Sequence, residues 1–291
     1  MKKICLLLLI LLCFLAGCQD LHIPSFKTSS GMLELHSIDV GQGDSTLILS
    51  PGGRTMLIDA GDNAHADEVV SYLKTKGISH IDILIGSHPD ADHIGGIDAV
   101  IDEFPVGTFF MSSHKSKSKS YRDVLRAAKE KDLPIQTVVA GMKIDFDKEI
   151  EAFFLSPFDH AYMSSNQFSA VTYLRYKKNR FLLMGDAEAV NEEEILKHYP
   201  DLRCDYLKIG HHGSKHSTTD IFLRTVRPRV AIISCGYKNS FFHPHKRVME
   251  LLKKNGILVY RTDEQKDLIF FSDGIDLYTD MPSPGSYNYP K

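Results

Sequence analysis

Ser87-His88-Pro89-Asp90-Ala91-Asp92-His93-Ile94-Gly95-Gly96 places four groups able to ligate a cation within six residues. The apolar stretch 81–86 (IDILIG) precedes it and reads as a strand; helical periodicity follows over 95–103. The four groups therefore occupy a loop at the carboxyl end of a strand. Two acids and two histidines this close would repel and desolvate one another in a fold with nothing to bind, and a cation resolves that conflict. Gly95 and Gly96 let the backbone turn tightly into the following helix. A merely solvated polar loop is the alternative, and it leaves this density of ligands unexplained.

One short loop cannot close a metal shell, so partners must come from elsewhere. Gly185-Asp186 follows the apolar run Phe181–Met184, and His211-His212-Gly213-Ser214 follows the strand at 205–209. His243-Pro244-His245 comes nine residues after a strand at 229–234. Each alone is weak, because a single Asp or His after a strand is often a helix cap. Together they form a set, since strand-end loops on one edge of a sheet converge. Asp39 and Asp44 flank the turn Gly41-Gln42-Gly43, and Asp59 ends a strand beside Gly61. They either orient ligand histidines or, for the first two, cap a tight turn. Lys215, His216 and Ser217 either touch substrate or cap the next helix.

Elsewhere the chain alternates strands and helices. Strands are expected at 33–40, 45–50, 54–59, 81–86, 106–110, 135–139, 151–155, 169–176, 180–184, 205–209, 229–234, 257–260 and 267–271. Helices are expected at 65–76, 95–103, 120–131, 188–198, 217–226 and 245–254. The early strands arrive without helices between them, which implies an antiparallel start followed by β-α alternation. A single α/β sandwich accommodates this pattern. The tail 282–291 (PSPGSYNYPK) reads as disordered, and 112–120 (SSHKSKSKS) as a loop whose lysines either track a polyanion or are simply solvated.

The order HxDxDH, then GD, then HHGS resembles the metallo-β-lactamase superfamily, and within it the hydrolase domain of the ComEC competence proteins. The opening Ile38-Asp39-Val40-Gly41-Gln42-Gly43-Asp44-Ser45, the strand end Leu57-Ile58-Asp59-Ala60-Gly61 and the run Leu183-Met184-Gly185-Asp186-Ala187-Glu188 carry the narrower likeness, which covers about 33–272. The resemblance implies a four-layer αββα sandwich, a single domain over 32–281, with two divalent metal ions between its sheets. It implies that His88 and Asp90 hold one metal, that Asp92 and His93 hold the other, that Asp186 bridges them and that His211 completes the second site. Asp90 stands where the superfamily usually has histidine. The histidine usual about 20 residues before Asp186 is missing, and Asn166 is the nearest candidate, as a ligand or through a bound water. An oxygen-richer site makes Mn²⁺ a competitor to Zn²⁺. Asp92 or Asp186 would orient the nucleophile. His243, with His212 as second candidate, would donate a proton to the leaving group or hydrogen-bond a substrate oxygen; a structural histidine is the alternative for each.

Residues 1–17 read as a signal segment: Lys2 and Lys3, then 13 apolar residues (4–16), too few for a spanning helix. Leu15-Ala16-Gly17-Cys18 resembles the lipobox of bacterial lipoproteins, with Cys18 the lipidated residue and 18–31 a tether. Losing two lysines leaves 32 Lys+Arg against 37 Asp+Glu, a net charge near −5, which excludes a strongly basic nucleic-acid binder. Of five cysteines, Cys204 and Cys235 remain in the domain; if their strands are parallel neighbours they lie at opposite ends and cannot bridge. The expected function is extracytoplasmic hydrolysis of a phosphodiester, with nucleic acid one such substrate, the membrane a partner through the anchor, and no nucleotide cofactor. A cell-envelope ester or lactam hydrolase, for example a choline phosphodiesterase, is the second reading. A non-catalytic, metal-stabilised component of DNA uptake is the third.

Overall fold

The computed structural model describes residues 31–290. The expected signal segment, Cys18 and the tether up to residue 30 lie outside the described residues. Three strands open the fold: β1 (Leu33–Ser37), β2 (Thr46–Leu49) and β3 (Thr55–Ile58), paired antiparallel. Then come α1 (Ala66–Thr75), β4 (Ile81–Gly86), the single turn α2 (Ala91–Ile94), α3 (Ile97–Glu103), β5 (Val106–Met111), α4 (Lys119–Glu130) and β6 (Ile135–Thr137). The second half runs β7 (Ile150–Ser156), β8 (Val171–Tyr176), β9 (Asn179–Leu183), α5 (Ala189–His198), β10 (Tyr206–Lys208), α6 (Asp220–Val226), β11 (Val230–Ile233), α7 (Lys246–Lys254) and β12 (Leu258–Arg261). It ends with α8 (Thr262–Gln265), β13 (Leu268–Ser272) and β14 (Leu277–Thr279).

Two sheets result. One has the order β14-β13-β1-β2-β3-β4-β5-β6, the other β12-β11-β10-β9-β8-β7. Because side chains alternate faces along a strand, Met56, Ile58, Ile83 and Ile85 enter the space between the sheets, where they meet Phe154, Leu174, Phe181, Leu183 and Tyr206. Leu57 and Leu84 face the other way and pack on Val69, Leu73, Val100 and Val124 of the helices. Leu182, Leu207, Ala231 and Val259 do the same against Ile195, Phe222, Val226, Val248 and Leu252. Both faces of each sheet are covered, which is why the central strands are continuously apolar rather than alternating. The order of layers is αββα, as expected.

The six expected helices are present to within a few residues, and so are the thirteen expected strands. Three short elements were not expected: the turn α2, α8, and β14, a three-residue strand that pairs with β13 across Phe270–Ser272. The tail differs more. Read as disordered, 282–290 is tied to the second sheet. Gly285 N–H donates to the Val259 carbonyl (2.7 Å), Tyr287 Oη donates to the Ile257 carbonyl (2.6 Å), and Tyr287 and Tyr289 pack on the helix-covered core. Two tyrosines supply the anchorage that the Pro/Gly/Ser composition conceals. Cys204 and Cys235 are buried and unbridged, before and after strands that do pair in parallel.

Candidate metal centre

The loop between β4 and α3 is held by its own backbone and two glycines. The amide of Asp44 donates to the Asp92 carbonyl (3.1 Å), and Ala60 N–H donates to the His93 carbonyl (2.8 Å). Gly43 has φ +155°, and a Cβ there would lie 2.4 Å from the Asp92 carbonyl oxygen. Gly96 is pressed as closely, its virtual Cβ 2.4 Å from the Ala60 carbonyl oxygen. The Gly-Gln-Gly turn and the loop at 88–93 are thus locked against each other.

Hydrogen bonds orient the imidazoles. Asp59, at the end of β3, accepts from the Ser87 amide (2.7 Å), the Ser87 hydroxyl (2.6 Å) and His93 Nδ1 (2.8 Å). Ser87 has given its one proton to Asp59, so at 3.1 Å it accepts from His88 Nδ1. His212 Nδ1 donates to the Ser234 carbonyl (2.9 Å). Each bond turns an Nε2 inward, and the three Nε2 atoms face Asp186, available to a cation once any proton on them is displaced. That is the outer support a ligating histidine needs.

Asp186 stands between two groups of donors. Its Oδ1 is 3.2 Å from His93 Nε2 and 3.5 Å from His212 Nε2, and Asp92 Oδ2 is 3.3 Å from the same His212 nitrogen. Its Oδ2 is 3.9 Å from His88 Nε2 and 3.7 Å from His211 Nε2, while Asp90 Oδ2 lies 3.6 Å from His88 Nε2. The expected convergence of His88, Asp90, Asp92, His93, Asp186 and His211 is therefore observed. The assignment of His211 to the Asp92 and His93 side is not: His212 stands there, and His211 faces His88 and Asp90. Both residues have left-handed backbone, φ 51° and 53°, inside the turn 210–213, which splays neighbouring side chains to opposite halves of the cluster. Asn166 lies beside His211, its Nδ2 3.2 Å from Nδ1, on the side where the superfamily's usual histidine is missing.

The residues fit divalent cations. His88 Nε2 and Asp186 Oδ1 are buried and make no hydrogen bond, and a buried polar atom without a partner is costly unless something else binds it. Asp44, His93, Asp186 and His212 offer ligand atoms all within 4.8 Å of one another. Of these Asp44 is on the Nδ1 side of His212, at 3.4 Å, and pairs there with Lys208. Asp92 approaches Nε2, so Asp92 rather than Asp44 completes the inner group, and Asp44 supports it from behind. Lys208 escaped the sequence reading: it is a buried ammonium at the end of β10, in an otherwise apolar strand. Asp39, also considered as an orienting residue, takes the turn-capping role instead. Its carboxylate accepts from the Gly41 amide (3.2 Å) and from Lys266 (3.1 Å).

Electrostatics follow from this packing. Burial alone would raise the carboxyls of Asp186 and Asp44, but the surrounding histidines, and Lys208 for Asp44, hold both well below the ordinary range. Asp92 is brought down to about 2 by His212 and His93 against its own burial. The same contacts overcome burial of the imidazoles: Asp186 and Asp44 raise His212 to about 9, and Asp186 and Asp59 raise His93 well above its usual value. His243 goes the other way, to about 3, through burial and the proximity of His212 and His211. Its ring stacks over His212 (6.0 Å between centroids, 28°), outside both donor groups.

A family model described as the metallo-beta-lactamase superfamily matches residues 38–237. ComE operon protein 3 of Bacillus subtilis (strain 168) is 32% identical over 248 residues, 79% of this chain and 32% of that protein. Recombination protein 2 of Haemophilus influenzae is 33% identical over 277 residues, 92% of this chain and 32% of that protein. Competence protein ComA of Neisseria gonorrhoeae is 30% identical over 227 residues, 77% and 30% of the two. The chain thus spans about a third of the length of these relatives. Among solved structures, CmlA, a diiron beta-hydroxylase from Streptomyces venezuelae, superposes with TM-score 0.51 at 14% identity over 81% of this chain and 53% of that one, a likeness of fold alone. With motif order, four-layer architecture and donor cluster in agreement, the chain belongs to the metallo-beta-lactamase superfamily, and the competence proteins are its homologues.

Proposed function

We propose that this chain is an extracytoplasmic, lipid-anchored phosphodiesterase that works with two divalent cations, Zn²⁺ or Mn²⁺. The observation that carries this reading is the division of Asp186: one carboxylate oxygen toward His93, His212 and Asp92, the other toward His88, His211 and Asp90. When bound, a pair of cations supplies positive charge to the attacking and leaving oxygens of an in-line displacement and makes water acidic near neutral pH. The superfamily is one of metal-dependent hydrolases, and the names of the competence relatives favour a nucleic-acid phosphodiester over a lactam.

The chain's own residues have separable roles. Asp59, Ser87 and Ser234 hold the three imidazoles with Nε2 inward. Asp92 is partly exposed and, being ionised, accepts a hydrogen bond from a water or substrate group that approaches the cluster. His243 is neutral at physiological pH, so it serves as an N–H donor to a substrate oxygen rather than as an imidazolium acid. The decisive experiment combines metal analysis of the purified chain with a panel of bis-p-nitrophenyl phosphate, single- and double-stranded DNA, phosphorylcholine esters and nitrocefin. Diesterase turnover that stops with chelator and returns with Mn²⁺ or Zn²⁺ is expected. Nitrocefin hydrolysis without diester turnover would replace the phosphodiesterase with the envelope or lactam reading. The anchor is tested separately: Cys18→Ser should move the chain from the membrane fraction to the soluble one.

A further inference from the structure

We infer that the loop from Gly236 to His243 is a preformed platform on which the unpaired bases of a single-stranded nucleic acid stack, beside the donor cluster. The inference rests on the phosphodiesterase reading and assigns it a substrate-selecting element. Nine large hydrophobic side chains are exposed among the described residues; three of them, Tyr237, Phe241 and Phe242, occupy this loop, and they are the aromatic ones. Solvated aromatic rings of this number in six residues are unfavourable unless something covers them.

The loop is held in place rather than left loose. Asn239 closes it, donating to the carbonyls of Gly236 (2.9 Å) and His243 (2.6 Å) and accepting from the His243 amide (2.9 Å). Its base is seated on the Gly-Gln-Gly turn: Gly236 N–H donates to Gln42 Oε1 (3.2 Å), and a Cβ on Gly236 would lie 2.8 Å from the Gln42 nitrogen. Lys238 and Phe242 have left-handed φ, 52° and 59°, which side-chain-bearing residues adopt at a cost that the surroundings must offset. The exposed rings stand on this held loop beside the donor cluster. Phe241 lies nearly parallel to His243 (22°, centroids 5.8 Å apart), and His243 nearly parallel to His212. The rings step from the surface to the cluster.

Charge selects the occupant. The chain as a whole is acidic, yet residues 206–219 and 236–249 contain no Asp or Glu. They carry Lys215, Lys238, Lys246 and Arg247, all exposed; the Lys238 ammonium sits 5.2 Å from the Tyr237 ring centroid, Arg247 is bonded to the Lys215 and Ser217 carbonyls, and Lys246 pairs with Glu250 (3.7 Å). Aromatic faces interleaved with cations are the chemistry that binds bases and phosphates together, and only an unpaired base has a free face to offer.

The test is fluorescence anisotropy on the metal-loaded full chain, using a labelled phosphorothioate oligothymidylate, the same backbone lacking bases, its duplex, and vesicles of phosphatidylglycerol and phosphatidylcholine. The wild type should bind the base-bearing single strand in preference to the abasic strand and the duplex. Tyr237→Ala/Phe241→Ala should weaken that binding by about tenfold or more, and Phe241→Trp should restore most of it. Thermal unfolding checks that the exposed substitutions leave the fold intact. Equal affinity of the wild type for abasic and base-bearing strands would overturn the inference. So would vesicle binding, or self-association, that falls in the variant while strand binding does not; those outcomes assign the rings to a lipid surface or to a second copy. Turnover of methyl p-nitrophenyl phosphate by the wild type reports on the phosphodiesterase reading by itself. A failure there is therefore distinguishable from a failure of the platform.

Discussion

Asp59, Lys208 and the pair His211 and His212 show how single residues divide the work of the cluster. Asp59 fixes the His93 tautomer, so Asp59→Asn should lower metal affinity about 10–100-fold while most of the fold persists, as read by competition with a chromophoric chelator. Asp186→Asn should reduce metal content and cut kcat/KM by more than about 10²-fold, because a neutral amide cannot balance two dications. Lys208→Met would leave Asp44 buried without its cation, and the loss of one partner of a buried pair typically costs about 3–5 kcal/mol, visible as a lower Tm. pH should act through His212. In the metal-free chain its folded pKa is raised from 6.5 to about 9, so its contribution to stability is complete below 6.5 and lost as pH rises through about 9. Metal competes with that proton, so apparent metal affinity should climb over the same window, with proton release on binding measurable by calorimetry in buffers of different ionisation enthalpy. The density of ligands at 88–93 was legible in the sequence. The partition of His211 from His212 was not, because it depends on two consecutive left-handed residues. Lys208 was hidden by its apolar neighbours, and Asp39 and Asp44, on either side of one turn in sequence, part company only in three dimensions.

Among elements, the short connections matter more than the helices. The loop carrying His88 to His93 is positioned by contacts to Gly43 and Gly96 that admit no side chain. Gly43→Ala should therefore push the Asp92 carbonyl away, destabilising the fold by about 1–3 kcal/mol and reducing metal content in the same preparation. A loss of stability with full metal occupancy would show that the turn supports the sheet and not the cluster. Strands and helices were readable because apolar periodicity differs between them, and because both faces of each sheet are covered. The turn α2 was not, since four residues inside the ligand loop are too few to display a period. β14 and the anchored tail were not either: their contacts are a three-residue ladder and two tyrosines in a polar stretch, signals below what periodicity resolves.

For the molecule as a whole, cations and fold should be coupled. Inward-facing Nε2 atoms and a divided carboxylate exist in the folded chain only, so chelation should lower Tm by about 5–10 °C when metal is present at about a hundredfold over its dissociation constant, measured by calorimetry with and without EDTA. The overall architecture was legible from the order of elements and motifs. Its closure was less so, because the pairing that completes the larger sheet joins the two ends of the domain. β1 lies between β2 and β13, with Leu33 opposite Ser272. Synthesis delivers β1 first and β13 almost last, so the nascent chain carries an open strand edge for nearly its whole emergence. A premature stop before residue 268 would make that exposure permanent. Such truncations should surface as insoluble, proteolysed fragments even though every donor of the cluster has already been translated.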